Sequence, residues 1–124
     1  MTTLTFQMPL PPNQGNRRGH WRVGWQAKKD FYAACDARQN VSLLPAPPSE
    51  PWDAATLSAH FYVHNLSDPD NLHARLKFVQ DWLVTRGYIV DDSPAHLTLV
   101  TATQEIDRKD KRLHVTLAQD SEHD

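Results

Sequence analysis

Alternation of apolar and polar residues predicts two β-strands in the first half of the chain. In the segment Thr2–Met8, every second residue from Leu4 onward is apolar, and the same period of two recurs over Ala55–Asn65. Successive side chains of a strand point to opposite faces, so each strand should bury one face and leave the other polar. The buried face of the second strand would hold Leu57, Ala59, Phe61 and Val63, and its polar face His60, Tyr62 and His64.

Two helices are predicted where apolar residues recur every three or four positions. The first should span Gln26–Gln39, with an apolar stripe of Ala27, Phe31, Ala34 and Cys35. The second should span Pro69–Arg86, with a stripe of Leu72, Leu76, Val79 and Leu83. Asp68 suits an N-cap, and the missing N–H of Pro69 is harmless at the first helical position. Gly87 suits the left-handed residue that ends many helices.

The remaining segments complete an α+β fold. Residues 13–24 are rich in glycine, asparagine and arginine and predict a long surface loop, whereas the prolines of residues 44–51 predict a stiff connector. Two further strands are expected at His96–Thr103 and Leu113–Ala118, joined by the charged turn Asp107–Arg112. The order β-α-β-α-β-β indicates two helices packed on a mixed sheet.

Length and composition fit one intracellular domain. A chain of 124 residues can bury its own core, and the single cysteine, Cys35, excludes an internal disulfide. We expect one domain over residues 1–119 and a disordered acidic tail over residues 120–124. No apolar run approaches the roughly 20 residues of a membrane helix, and the amino terminus lacks the pattern of a signal peptide. These observations predict a cytoplasmic protein that does not bind membranes.

The net charge of −2 conceals a basic region. Between Gly15 and Arg38, six basic residues face two acidic ones, so this segment alone carries a charge of +4. Such a local field attracts a polyanion even when the whole chain is acidic. The DNA-binding residues predicted here are Arg17, Arg18, Arg22 and Lys28, interleaved with His20, Trp21 and Trp25. The alternative is a soluble loop that its tryptophans hold against the domain.

Two pairs of acidic residues suggest a metal site. Asp68 and Asp70 stand at the predicted start of the second helix, and Asp91 and Asp92 follow the turn after it. Carboxylates that meet in a fold repel one another unless a cation lies between them, and purely oxygen ligands suit Mg²⁺, Mn²⁺ or Ca²⁺ better than zinc. The alternative is structural, since aspartate is common both at helix caps and in turns.

The polar side of the second helix carries a lysine that is a candidate for chemistry. With about 100° of rotation per residue, Asp70, His73, Lys77 and Asp81 lie nearly opposite the leucine stripe. Lys77 could reach back toward the amino end of the helix and bind a phosphate oxygen or a leaving group. The alternative is a simple ion pair between Lys77 and Asp81, four residues later.

At these residues the chain resembles the RusA family of Holliday junction resolvases. The resemblance begins at Leu10-Pro11-Pro12 and is strongest in Asp68-Pro69-Asp70-Asn71-Leu72, continuing through Gly87 to Asp91-Asp92-Ser93. It covers most of the chain in order and spacing. The combination of DPDNL, an amphipathic helix, GYIV and DDS is more specific than any one of its parts.

The resemblance implies a homodimer that binds four-way DNA junctions and nicks two strands symmetrically with Mg²⁺, for which Mn²⁺ could substitute. It implies that Asp68, Asp70 and Asp92 bind metal, with Asp91 as an additional ligand. Lys77 would be the catalytic lysine. In some family members that lysine follows the asparagine by three residues, where this chain has Ala74, and in others it stands where Lys77 does.

The function predicted from the sequence is therefore hydrolysis of phosphodiesters in branched DNA. Metal held by the aspartates would lower the pKa of the attacking water and polarise the phosphate, while Lys77 would stabilise negative charge. Two alternatives stay open: a non-catalytic module of phage origin that binds junctions or other DNA, and a nuclease for flaps or other branched DNA.

Overall fold

The computed structural model describes residues 2–13 and 21–120, and of residues 21–23 it describes the backbone alone. Within these ranges the chain forms a small α+β domain in which two helices pack on a mixed sheet. The elements follow one another as β1 (Thr3–Met8), α1 (Trp21–Asn40), β2 (Ala55–Val63), α2 (Pro69–Thr85), β3 (Leu97–Leu99), β4 (Thr103–Ile106) and β5 (Arg112–Gln119). The predicted fold class is confirmed.

Strand β2 is the centre of the sheet. It pairs with β5 in antiparallel orientation along one side, and β5 pairs in turn with β1. Along its other side β2 pairs in parallel with β3 and then with β4. Parallel neighbours need a long crossover, and α2 supplies it. The chain thus leaves β2 through α2 and returns beside the same strand.

The predicted strand His96–Thr103 is in fact two short strands. Ala55 pairs with Leu97, whereas His60 pairs with Thr103, so the register between them shifts by one residue. An extra residue in one of two paired strands forms a bulge, which interrupts the ladder. The second of these strands, β4, also extends to Ile106. Local alternation could not reveal the bulge, because it depends on how the segment aligns with β2.

The core lies between the helices and one face of the sheet. All the apolar residues predicted for the buried face of β2 and for the stripe of α2 are buried. Phe6 and Met8 of β1 are fully buried, while Leu4 packs at the margin. The rings of Phe6, Trp82 and Tyr88 form an aromatic cluster, with Phe6 meeting each of the other two rings edge to face. Alternation in β1 and β2 therefore identified the buried side correctly.

The opposite face of the sheet is polar. The ring of His60 lies 2.8 Å through Nε2 from Glu105 Oε1, and the guanidinium of Arg112 stacks 3.6 Å from the centre of the Tyr62 ring. His60 and Tyr62 thus face away from the core as predicted. His64 follows the end of β2 and is exposed.

Helix α1 begins five residues earlier than predicted. The sequence suggested a loop through Gly24, but the helix starts at Trp21 and includes that glycine. Glycine inside a helix costs only about 1 kcal/mol relative to alanine, and burial of an apolar stripe can outweigh it. Phe31 and Cys35 of this stripe are buried. A hydrogen bond of 2.8 Å from Gln26 to Asp30 also supports the first half of the helix.

Helix α2 matches its prediction within one residue. It starts at Pro69 after Asp68 and ends at Thr85. Gly87 then adopts a φ of +84°, and its N–H donates to the carbonyl of Val84 at 3.2 Å. The chain reverses here and places Ile89 in a parallel bridge with Trp52.

The predicted tail begins at Asp120, which contacts β2. Its N–H donates to the carbonyl of Ala54 at 2.9 Å, and its carboxylate accepts a hydrogen bond of 2.8 Å from the Thr56 hydroxyl. Residues 121–124 lie outside the described residues.

Candidate functional site

Four charged side chains form a continuous chain of ion pairs between the two helices and the segment after α2. Lys77 Nζ lies 2.5 Å from Asp92 Oδ2 and 3.2 Å from Asp81 Oδ1. The other oxygen of Asp81 lies 3.7 Å from Lys28 Nζ on α1. The expected pair of Lys77 with Asp81 is present, and Asp92 adds a partner from a distant part of the chain.

The surroundings of Lys77 fix its charge. The hydrogen bond to Asp92 is the main influence that raises the pKa of Lys77 above its usual value, and Asp81 adds to the effect. The side chain is therefore an ammonium at neutral pH and cannot accept a proton from water. It can balance negative charge on a phosphate or on a leaving oxygen.

The sequence predicted that Lys77 reaches back toward the start of its helix, and the structure shows that it does not. A helix rises 1.5 Å per residue, so Lys77 lies about 10 Å along the axis from Asp70. The ammonium leans instead toward Asp81, one turn farther on, and meets Asp92 there. Of the predicted site residues, Lys77 and Asp92 are therefore the pair that the structure brings together.

Asp68 and Asp70 have exposed carboxylates at the start of α2. Asp68 occupies the N-cap with extended backbone angles, but its side chain makes no capping hydrogen bond. Its carbonyl accepts from the N–H groups of Asn71 and Leu72 instead. Asp70 lies in the first turn, where the helix dipole favours a negative charge. Among the described residues, neither carboxylate has an ion-pair or hydrogen-bond partner, so both are free to bind a ligand.

Asp91 and Asp92 differ in their environments. Asp91 is exposed, and a hydrogen bond from the Ser93 side chain is the main cause that lowers its pKa. The Asp92 side chain is only 19% exposed and is turned to Lys77. Of these two residues, it is therefore Asp92 that contacts the polar side of α2, through Lys77.

The donor set fits a hard cation in type, but its members are dispersed. Asp68, Asp70 and Asp92 offer only carboxylate oxygens, which are the ligands that Mg²⁺ prefers. Within residues 2–13 and 21–120, no group of three or more histidine, cysteine, aspartate or glutamate side chains is placed to hold a metal ion. The structure brings Asp92 to Lys77 and does not gather the four aspartates into one cluster. The metal site stays a prediction.

The predicted DNA-binding residues fall partly outside the described structure. Arg17 and Arg18 lie in residues 14–20, which are not described, and of Arg22 only the backbone, within α1, is described. Lys28 lies on α1, half-buried, in the ion pair with Asp81. Lys28 thus connects the basic segment to the side of α2 that carries Lys77.

A second ion pair fixes the end of α2 against α1. Arg86 binds Asp36 through Nε at 2.7 Å and through Nη2 at 2.6 Å, and the indole N–H of buried Trp82 donates to the same carboxylate at 2.9 Å. The hydrogen bond from Arg86 is the main cause that lowers the pKa of Asp36. This contact anchors the turn that carries the chain toward Asp92.

Sequence reasoning assigned no function to Arg75, which is buried in the structure. It follows Leu72 by three positions and lies within the apolar stripe of α2, and its Nε donates to the carbonyl of Pro11 at 3.0 Å. Burial lowers the pKa of Arg75. Arginine in an apolar stripe is the signal that could have marked it. Through this bond α2 holds the segment that leads into the basic residues.

In comparison with known proteins, no protein-family model and no curated protein matches the chain. A separate finding concerns membranes. In the part of the chain that the structure describes, neither helix combines the length and the apolar character needed to cross a bilayer.

Proposed function

We propose that this protein is a Mg²⁺-dependent endonuclease that cuts branched DNA, with four-way junctions as its substrate. The observation that carries the proposal is the contact between Lys77 and Asp92, which brings the acidic motif after α2 onto the polar side of the helix that begins with the other acidic motif. The resemblance to RusA resolvases supports the same activity. A cut in each of two paired strands requires two sites, so the proposal includes a homodimer.

In this proposal the residues have separate tasks. Asp68, Asp70 and Asp92 would hold the metal, with Asp91 beside them. When bound, Mg²⁺ would supply a polarised phosphate and a water of lowered pKa. Lys77 would balance negative charge that develops on the phosphate, since its ammonium is fixed by Asp81. The basic residues of α1 and of the segment before it would bind the DNA backbone.

A second candidate is a module that binds DNA without cutting it. The position of Lys28 on α1, where it contacts the polar side of α2 through Asp81, favours this alternative, because a basic residue there binds a phosphate without any metal. The free carboxylates of Asp68 and Asp70 argue against it, since negative charge near a phosphate weakens binding unless a cation intervenes.

A cleavage assay separates the two candidates. A synthetic four-way junction is incubated with the wild-type protein, with Asp70→Asn and with the control Glu50→Gln, each with and without Mg²⁺. Glu50 is an exposed acid in the connector, remote from α2 in sequence, so this control removes one negative charge elsewhere. The nuclease proposal expects symmetric nicks from wild type and control in Mg²⁺ alone, and none from Asp70→Asn.

Equal metal-independent binding by all three proteins with no nicks would support the binding module and end the nuclease proposal. Competition with flap and linear duplex DNA then ranks the substrates. Sedimentation of the protein with and without the junction tests the homodimer.

A further inference from the structure

One face of α1 holds an open groove of about 370 Å³ that the proposed chemistry does not use. We call it the Trp25 groove; its lining residues are Trp25, Lys28, Lys29, Tyr32, Ala33 and Asp36. It combines aromatic rings with ammonium groups along two to three turns of one helix. Proteins that bind single-stranded nucleic acid use the same combination, because rings stack on bases and cations bind phosphates.

Trp25 is the exposed ring of this groove. Its side chain is 53% exposed, although tryptophan is on average a highly buried residue. Lys29 Nζ lies 4.3 Å from the centre of the ring. Lys29 has no carboxylate partner among the described residues, so its charge is available to an anion. An exposed indole and an ammonium without a carboxylate partner among the described residues are therefore in contact, with Lys29 over one face of the ring.

The charge of the groove favours an anionic ligand. Its one carboxylate, Asp36, is neutralised by Arg86, which binds both of its oxygens. The Tyr32 ring lies between two cations, with Lys28 Nζ 5.5 Å and Arg86 Cζ 5.6 Å from its centre. The charged side chains that line the groove are Lys28, Lys29 and Asp36, a net charge of +1, whereas the whole chain carries −2. A polyanion that also carries flat apolar groups matches both the positive charge and the aromatic rings of this surface.

The Trp25 groove is continuous with the site around Lys77. Lys28 lines the groove and also binds Asp81, whose other oxygen binds Lys77. A DNA strand whose phosphate lies at Lys77 would therefore meet the groove a short distance along its backbone. At a branch point the neighbouring bases can leave the stack, which a continuous duplex does not allow without a cost of a few kcal/mol.

We propose that the Trp25 groove binds an unpaired DNA base next to the branch point, with the base stacked on Trp25 and the adjoining phosphate held by Lys29. This inference rests on the proposed function for its substrate but concerns binding, not cleavage. It assigns the selectivity for branched DNA to a surface on α1.

The test measures binding of the full chain in EDTA, so that cleavage does not contribute. The probes are a short thymidine oligonucleotide and the same strand with abasic sites, each labelled with a fluorophore. Stacking on an aromatic ring predicts that Trp25→Ala weakens binding of the thymidine strand about tenfold or more. The same variant should bind the abasic strand as the wild type does. Trp25→Phe, which keeps a ring, should recover most of the affinity.

Lys29→Gln supplies an independent check on the phosphate contact. It should weaken binding of both strands and reduce the slope of log affinity against log salt by about 0.7, the value for one phosphate contact with a single strand. Thermal unfolding of each variant verifies that it folds. Because Trp25 is exposed, its replacement should change the unfolding temperature little.

Several results would overturn the inference: no binding of either strand by the wild type, unchanged binding of the thymidine strand by Trp25→Ala, or an equal loss on both strands. A Trp25→Ala variant that alters only self-association would assign the groove to a second copy of the chain. Failure of the nuclease proposal is recognised separately, as base-dependent binding through Trp25 without any cleavage of junctions by the wild type.

Discussion

Lys77 Nζ lies 2.5 Å from Asp92 Oδ2, although 15 residues separate the two in the chain. The reversal at Gly87 and the bridge between Trp52 and Ile89 carry Asp92 back along α2 until it meets the lysine. Because Asp81 binds the same ammonium, the position of Lys77 is fixed from two sides.

Lys77→Met should lower the rate of junction cleavage by about 10² to 10³, because an ammonium that stabilises transition-state charge contributes about that factor. Binding of the uncut junction should change much less, since one phosphate contact among many is lost. Single-turnover cleavage measures the rate, and a titration of the junction in Ca²⁺ measures binding. Lys77→Arg retains the charge and serves as the control. Equal cleavage by the Met variant and the wild type would exclude a catalytic function for Lys77.

Asp36→Ala should reduce the free energy of unfolding by about 2 to 3 kcal/mol. The variant leaves the N–H of fully buried Trp82 without its acceptor and removes the charged partner of Arg86. Urea unfolding measures the change. Asp30→Ala, on the exposed side of the same helix, is the control and should stay within about 0.5 kcal/mol. Similar losses of unfolding free energy in both variants would show that any substitution in α1 destabilises the protein, and that the contact with α2 is not the cause.

The same carboxylate should give a pH dependence to stability. Arg86 lowers the pKa of Asp36 in the folded state, so the unfolded chain takes up a proton first as the pH falls. The stabilisation is present above the ordinary pKa of 3.8 and is lost as the pH decreases through the lowered folded value. Urea midpoints between pH 5 and pH 2 should fall more steeply for the wild type than for Asp36→Asn. Parallel curves would contradict the assignment.

Gly87→Ala should destabilise the fold by about 1 kcal/mol. A Cβ at this position meets no atom within 4 Å, so the penalty comes only from the φ of +84°, which L residues rarely adopt. Gly87→Asn should cost less, because asparagine tolerates this region. Thermal unfolding ranks the three proteins. Stabilisation by alanine, the usual result at an unstrained glycine, would show that the turn can relax.

Cys35 should resist modification in the native protein. The thiol is fully buried, and burial raises its pKa to about 12, so very little thiolate forms at pH 8. Labelling with an aromatic disulfide reagent should be slow without denaturant and complete within the mixing time in concentrated urea. Rapid labelling of the native state would indicate that α1 separates readily from the sheet.

The sequence alone determined the elements whose signals are local. Helix α2 was predicted within one residue because its first proline, its apolar stripe and Gly87 all act within a few residues of the backbone that they control. The buried faces of β1 and β2 followed from a period of two, which any half-buried strand must show. These features fixed the fold class as well.

Tertiary structure decided the features that depend on partners far away in the chain. Helix α1 includes Gly24 although glycine is a weak helix former, and the bulge between β3 and β4 exists only in register with β2. Lys77 meets Asp92 because the turn at Gly87 returns the chain along α2, whereas its pair with Asp81 follows from a spacing of four residues within one helix. Sequence spacing shows a charge pair inside a helix, but only the fold shows which distant side chain is brought beside it.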